Sequence, residues 1–279
     1  MNMQINHSSE QKAARAFSNQ SVIFDKLYAA NSIVQYKRDR VRRQMLQYLK
    51  PGDAILELNA GTGDDAIFFA QEGFTVHATD IAAGMHEKLK EKVKEHRLTG
   101  QISNEICSYT ALDMLKDKGP YNCIFSNFGG LNCTGTLQIV LERFNDLLKP
   151  NGVVVLVILP KFCLWESLLI VKGKFKTATR RFFSSNGVKA KIDGDVFTCW
   201  YYSSGFVIKQ LKNDFELLSV EGLCSIVPPS YIENFAEKYP KSFSWLCKME
   251  NKFKGAWPWK YIGDYYIISL RKKGDDLPE

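Results

Sequence analysis

A short apolar run, Ala54-Ile-Leu-Glu57-Leu58, ends beside an acid and crosses a small-residue stretch, Asn59-Ala-Gly61-Thr-Gly63. It then re-enters an apolar segment from Ala66 to Ala70. This order reads as a strand, a tight turn and a helix N-terminus. Glycines suit such a turn because a missing Cβ permits unusual φ values and lets a ligand approach the main chain. Nineteen residues past Gly61, a second short strand, Thr75-Val-His-Ala-Thr-Asp80, closes on a carboxylate. An acid at that place can accept hydrogen bonds from a ribose diol. The chain is therefore expected to bind a nucleoside-containing ligand through a parallel α/β sheet.

The segment Gly61-Thr-Gly63-Asp-Asp-Ala66 also satisfies the dinucleotide pattern G-x-G-x-x-G/A. Glu57 argues against a pyrophosphate there, because like charges would meet at the mouth of the first strand. A cationic group, such as a sulfonium or an α-amino group, fits better. Two further stretches add to the pattern. Tyr121-Asn-Cys-Ile-Phe-Ser-Asn127-Phe128-Gly-Gly reads as a strand with a polar, glycine-rich exit. Leu147-Leu-Lys-Pro150-Asn151-Gly152, followed by Val153 to Leu159, reads as a helix end, a turn and a buried strand.

Together these motifs resemble the class I S-adenosylmethionine-dependent methyltransferases, closely from Leu49 to Leu159 and more loosely from Tyr201 to Arg271. The resemblance implies a doubly wound, Rossmann-like sheet of seven strands, mostly parallel with the last antiparallel. It implies S-adenosylmethionine as cofactor and S-adenosylhomocysteine as product. Asn59 and Asn151 stand where the family has glycine, and both changes are mild because Asn tolerates left-handed backbone. After the third strand the family's usual acid is replaced by Thr110, or its work falls to Asp113; the sequence leaves both open.

Residue roles carried over from the resemblance are these. Glu57 orients the glycine loop and the methionine end of the cofactor, with Asn59, Gly61 and Gly63 in the close-approach turn. Asp80 holds the ribose, and Ile81 and Met85 flank the adenine. Ala111 to Asp113 lies at the adenine edge. Asn127 and Phe128 face the reactive centre, and Tyr28 with Arg38 is chosen for the cofactor carboxylate. No metal is implied.

Division of the chain follows from periodicity and from the excess length. Residues 1–48 form a helical cap whose first 19 or so residues are polar and expected to fray. The core comprises 49–160 and 199–272, and 273–279 is a charged tail. Two insertions, 161–198 and 225–263, begin at carboxyl ends of strands and are read as a helical lid over the ligand edge. The first joins an apolar stretch, Phe162 to Val171, to seven basic residues without an acid between Lys172 and Lys191. Such a stretch suits a membrane surface or RNA phosphates, and equally a solvated flank.

Transfer from a sulfonium leaves a neutral thioether, so alignment and water exclusion are the main demands on the protein. The four histidines avoid both insertions and read as structural. Any general base would come from Glu166, Tyr201, Tyr202 or Asp264. Ser126-Asn127-Phe128-Gly129 lacks the prolines of the Asn-Pro-Pro-Tyr signature, which disfavours nucleic-acid bases and protein amides. A small apolar or aromatic substrate, lipid- or quinone-like among the options, is the favoured reading. The alternatives are an RNA methyltransferase using residues 172–191 and a non-catalytic cofactor-binding protein. Seven cysteines without a C-x-x-C pair, no apolar leader and no apolar run long enough to span a bilayer point to a cytoplasmic protein with reduced thiols. Oligomeric state is not readable.

Overall fold

The computed structural model describes residues 2–182, 184–192, 194–232 and 234–274. Two helices, α1 (Asn2–Ala29) and α2 (Ser32–Leu46), precede β1 (Ala54–Leu58), α3 (Asp64–Gln71), β2 (Thr75–Asp80), α4 (Ala83–Glu95) and β3 (Ile102–Ile106). Next come β4 (Tyr121–Ser126), α5 (Leu137–Glu142), α6 (Phe144–Leu147) and β5 (Leu148–Ile158). The first insertion holds α7 (Leu164–Ser167), α8 (Phe175–Thr179), β6 (Val188–Ile192) and β7 (Asp195–Cys199). After α9 (Ser204–Leu211) and β8 (Phe215–Leu223), the second insertion carries α10 (Phe235–Lys238) and α11 (Pro240–Phe253) before β9 (Tyr265–Lys272).

Seven strands form one sheet in the order β3-β2-β1-β4-β5-β9-β8. The pairings β3–β2, β2–β1, β1–β4 and β4–β5 are parallel, whereas β9 runs antiparallel to both β5 and β8. Burial on both faces explains the continuous apolar strands. Ile55, Cys123, Phe125, Val153 and Val155 pack toward α2, α3 and α4, while Leu56, Ile124, Val154 and Leu156 pack toward α5 and α9. The order of strands reverses between β1 and β4, with β2 and β3 added on one side and β5 on the other, which opens a crevice at their carboxyl ends. Glu57, Asp80 and Asn127 all sit at that edge.

Two features depart from the sequence reading. The polar N-terminus is ordered helix rather than a frayed lead: Ala13 and Ala16 are buried, and α1 packs on the β6–β7 hairpin and on α4. Its small residues permit that closeness. Gly84 at the start of α4 would place a Cβ 2.6 Å from the Ser18 carbonyl oxygen, so only glycine fits there. The basic stretch, in turn, runs into the first strand of a hairpin, β6–β7, that forms its own two-stranded sheet. Among the described residues no helix is long and apolar enough to cross a membrane.

Candidate functional site

A cavity of about 380 Å³ lies over the β1–β4 crevice. Sites for small molecules commonly span ~300–1,000 Å³. Its floor is built from the turns that leave β1, β2 and β4. Asn59 has φ +50° and Asn151 has φ +61°, so both asparagines occupy the left-handed conformation that glycine would otherwise supply. Asn59 also does what glycine could not. Its amide Nδ2 donates to the Asn127 carbonyl oxygen (3.1 Å), and its Oδ1 accepts from Ser126 Oγ (2.6 Å). The glycine loop is thereby tied to the exit of β4.

Glu57 lines the cavity, and its buried Oε2 has no hydrogen-bond partner among the described residues. Burial, reinforced by the nearby Asp65 carboxylate, pushes its pKa well above the usual glutamate range; Arg38 and Arg42 oppose the shift. An orphaned acid of this kind fits a cationic ligand group. Across one strand, Asp80 accepts from the Gly61 N–H (2.8 Å) and the Ala82 N–H (2.7 Å). Burial raises its pKa and these backbone donors counter it. Both carboxylate oxygens are thus fixed in place and keep lone pairs for a diol. Ile81 and Met85 line the cavity beside it.

The opposite wall comes from β4 and α2. Asn127 Nδ2 donates to Asp65 (2.8 Å), and Phe128, which lines the cavity, sits at φ +50°, a strained value for an aromatic residue. Arg38 pairs with Asp64 (3.0 Å) and Asp65 (3.7 Å), while Arg42 bonds Asp65 (2.7 Å). These pairs dock α2 on the N-terminus of α3, where acids also meet the helix dipole favourably. Tyr28 lines the cavity from the end of α1, next to Phe24.

Three sequence-chosen positions do not reach the cavity. Gly63 caps α3 at φ +84°, and a Cβ there would press on Leu89 at 2.9 Å, so its role is packing. Ala111 sits at a kink in a 3₁₀ turn and Asp113 is exposed. Their expected place is taken by Glu10 of α1, whose carboxylate accepts from Ser108 Oγ and from Thr110 Oγ1 (2.8 Å). A residue one hundred positions away thus delivers an acid to the loop after β3, and no local signal could have found it. Phe17 and Tyr109 complete this end.

None of the four candidate bases lines the cavity. Glu166 accepts from Arg180 and Arg181 (2.6 Å each), which hold its pKa below the usual range. Asp264 is bonded to the same Arg181 guanidinium (2.8 Å), which also lies over the Tyr201 ring. Tyr202 donates its hydroxyl to the Thr134 carbonyl (2.6 Å). Through Arg181, Asp264 and Tyr201 brace the first insertion against the core. That insertion and the second each lend a residue to the cavity wall, Ile192 and Ser230.

A family profile described as a methyltransferase domain matches residues 55–152, the stretch from β1 to the turn inside β5. Residues 55–152 are thus a methyltransferase domain, about a third of the chain. It is 26% identical over 151 residues to a demethylmenaquinone methyltransferase of Listeria monocytogenes, a match covering 52% of this chain and 61% of the relative. Among solved structures, the 1,6-didemethyltoxoflavin-N1-methyltransferase of Burkholderia thailandensis aligns with a TM-score of 0.59 at 13% identity. That alignment covers 96% of this chain and 90% of the other. The [4+2]-cyclase SpnF aligns with a TM-score of 0.55 at 14% identity, covering 85% and 81%. One fold thus serves methyl transfer and ring formation, so the chemistry of this chain must be argued from its own site.

Proposed function

We propose that this methyltransferase moves a methyl group from S-adenosylmethionine to a small apolar or aromatic molecule held in the same cavity. The observation that carries the reading is the unpartnered, buried Oε2 of Glu57 midway along one roofed cavity, with Asp80 on one side and Phe128 and Tyr265 on the other. Asp80 would take the ribose hydroxyls, and Ile81 and Met85 the adenine faces. Glu57 would neutralise the cofactor's amino group, and Arg38 or Tyr28 its carboxylate. When bound, the cofactor supplies an electrophilic methyl on a sulfonium. The protein's share is to align the acceptor against Phe128 and to exclude water with α1, the hairpin and the second insertion.

A positioning mechanism is supported by the engagement of Glu166, Tyr201, Tyr202 and Asp264 in structural contacts. Exposed Leu168, Ile170, Val171 and Phe175 stand beside exposed Lys174 and Lys176, which favours contact with an apolar, anionic surface as the source of substrate. The relatives named demethylmenaquinone methyltransferases agree with that class.

The test is transfer of radiolabelled methyl from S-adenosylmethionine into a fractionated bacterial extract. Label in the organic-soluble or small-molecule fraction supports the proposal. Label held in RNA and released by nuclease overturns the substrate class. Tight S-adenosylhomocysteine binding without transfer to any fraction overturns the catalytic reading.

A further inference from the structure

Lys37 of α2 is 2% exposed and lines the cavity, yet among the described residues no carboxylate lies within ion-pair distance of its Nζ. Its contacts are the Ser230 hydroxyl (3.0 Å) and two aromatic faces, Tyr265 at 4.8 Å and Phe128 at 5.5 Å from the ring centres. Aromatic faces steady an ammonium but carry no net charge. A buried cation in such a setting calls for an anion. The neighbouring Arg38 differs, since Asp64 and Asp65 already answer its charge.

The sheet order says which ligand meets Lys37. Asp80 lies at the end of β2, Glu57 on β1, Asn127 and Phe128 just past β4, and Tyr265 at the start of β9. Adjacent strands are about 4.8 Å apart, so Phe128 and Tyr265 are roughly 10 to 20 Å from the ribose acid, on the far side of Glu57. The acceptor, not the nucleoside, belongs there.

Building on the function proposed above, we infer that Lys37 binds a single oxyanion on the methyl acceptor, with Ser230 as second donor, so the substrate is an apolar or aromatic carboxylic acid. One ammonium balances one negative charge. A diphosphate would want several cations, and Lys37 is the one unmatched cation among the described cavity-lining residues. Ser230 comes from the second insertion, so substrate binding and closure of that insertion share one hydrogen-bonded pair.

Calorimetry with saturating S-adenosylhomocysteine tests this with matched acids and amides: benzoate and benzamide, 1-naphthoate and 1-naphthamide, octanoate and octanamide. The wild-type chain should bind at least one acid tenfold or more tighter than its amide. Lys37→Met should cut that preference below threefold, and Lys37→Arg should keep it, with S-adenosylhomocysteine affinity within threefold of wild type in both. Should Lys37→Met fail to fold, Lys37→Gln replaces it. No acid preference in the wild type, or a preference that survives Lys37→Met, overturns the inference. Tenfold weaker S-adenosylhomocysteine binding in Lys37→Met also overturns it and assigns Lys37 to the cofactor carboxylate. Failure of the wild type itself to bind S-adenosylhomocysteine would instead sink the proposed methyl transfer.

Discussion

Glu10 of α1 accepts a hydrogen bond from Thr110 Oγ1 at 2.8 Å, across one hundred residues of chain, and so closes the cavity at the end nearest Asp80. A second clasp lies further along the helix, where Asp25 accepts from Thr62 and from Lys92 (2.9 Å). The roof is thus an element held by side chains, which can be loosened at named points.

Glu10→Ala removes the acceptor of two hydroxyl donors. Hydrogen bonds to a charged group contribute about 1.5–3 kcal/mol each, less what solvent recovers. S-adenosylhomocysteine affinity should fall by about tenfold in calorimetry. Gly84→Ala should act from the other side by lifting α1 off α4, at a cost of roughly 1–3 kcal/mol in denaturant unfolding. Unchanged cofactor affinity in both variants would show that α1 is no part of the closed site.

Asp80→Ala removes the carboxylate held by the Gly61 and Ala82 N–H groups. Cofactor affinity should drop more than tenfold, from lost ribose bonds and a loosened turn. Asp80→Asn, which keeps an acceptor for one backbone donor, separates the two causes. Wild-type affinity in Asp80→Ala would remove this residue from the site.

Glu57 ties stability to pH with a definite sign. Its folded pKa is raised by burial and by Asp65, so the folded state binds its proton more tightly than the unfolded chain, where glutamate titrates near about 4.3. Stability from this group is present below that value and is lost as pH rises through the folded pKa. Glu57→Gln should therefore raise the melting temperature of the ligand-free protein at neutral pH and flatten its decline with pH. A cationic ligand favours the ionised acid, so the same variant should bind S-adenosylmethionine at least tenfold more weakly. A variant that is both less stable and unimpaired in binding would contradict this account.

Glu166 has the opposite sign. Arg180 and Arg181 hold its pKa below the ordinary range, so its contribution is present above the unfolded value and lost as pH falls through the folded one. Glu166→Gln leaves the buried Arg181 guanidinium with Asp264 as its remaining carboxylate, and should cost about 3 kcal/mol in urea unfolding. S-adenosylhomocysteine affinity should not move, because the residue lies outside the cavity. A large loss of affinity with normal stability would return Glu166 to the site.

Local chemistry determined a good part of this protein. The run from Ala54 to Asp80 spells its strand, turn and helix through residues within a few positions of one another, so the glycine loop, Glu57 and Asp80 were legible from the string. The left-handed asparagines at 59 and 151 were legible for the same reason, since backbone conformation is set by the residue that adopts it. The seven-stranded, mostly parallel sheet with its last strand antiparallel was implied by the resemblance that the motif series carries, whereas the strand order came only from the structure.

Tertiary structure decided what depends on distant segments meeting. Glu10 takes the place sought at Ala111 and Asp113 only because α1 folds back over the loop after β3. Glu166, Tyr201, Tyr202 and Asp264 had the right chemistry for a base, but Arg180, Arg181 and the Thr134 carbonyl engage them away from the cavity. Nothing in the sequence sets Lys37 apart from the other basic residues of α2. Its meaning comes from what surrounds it, two rings and a hydroxyl with no acid in ion-pair reach among the described residues, and that surrounding is assembled from α2, the exit of β4, the second insertion and β9. A side chain's type is written in the sequence, but whether its charge is answered depends on which neighbours the fold brings to it.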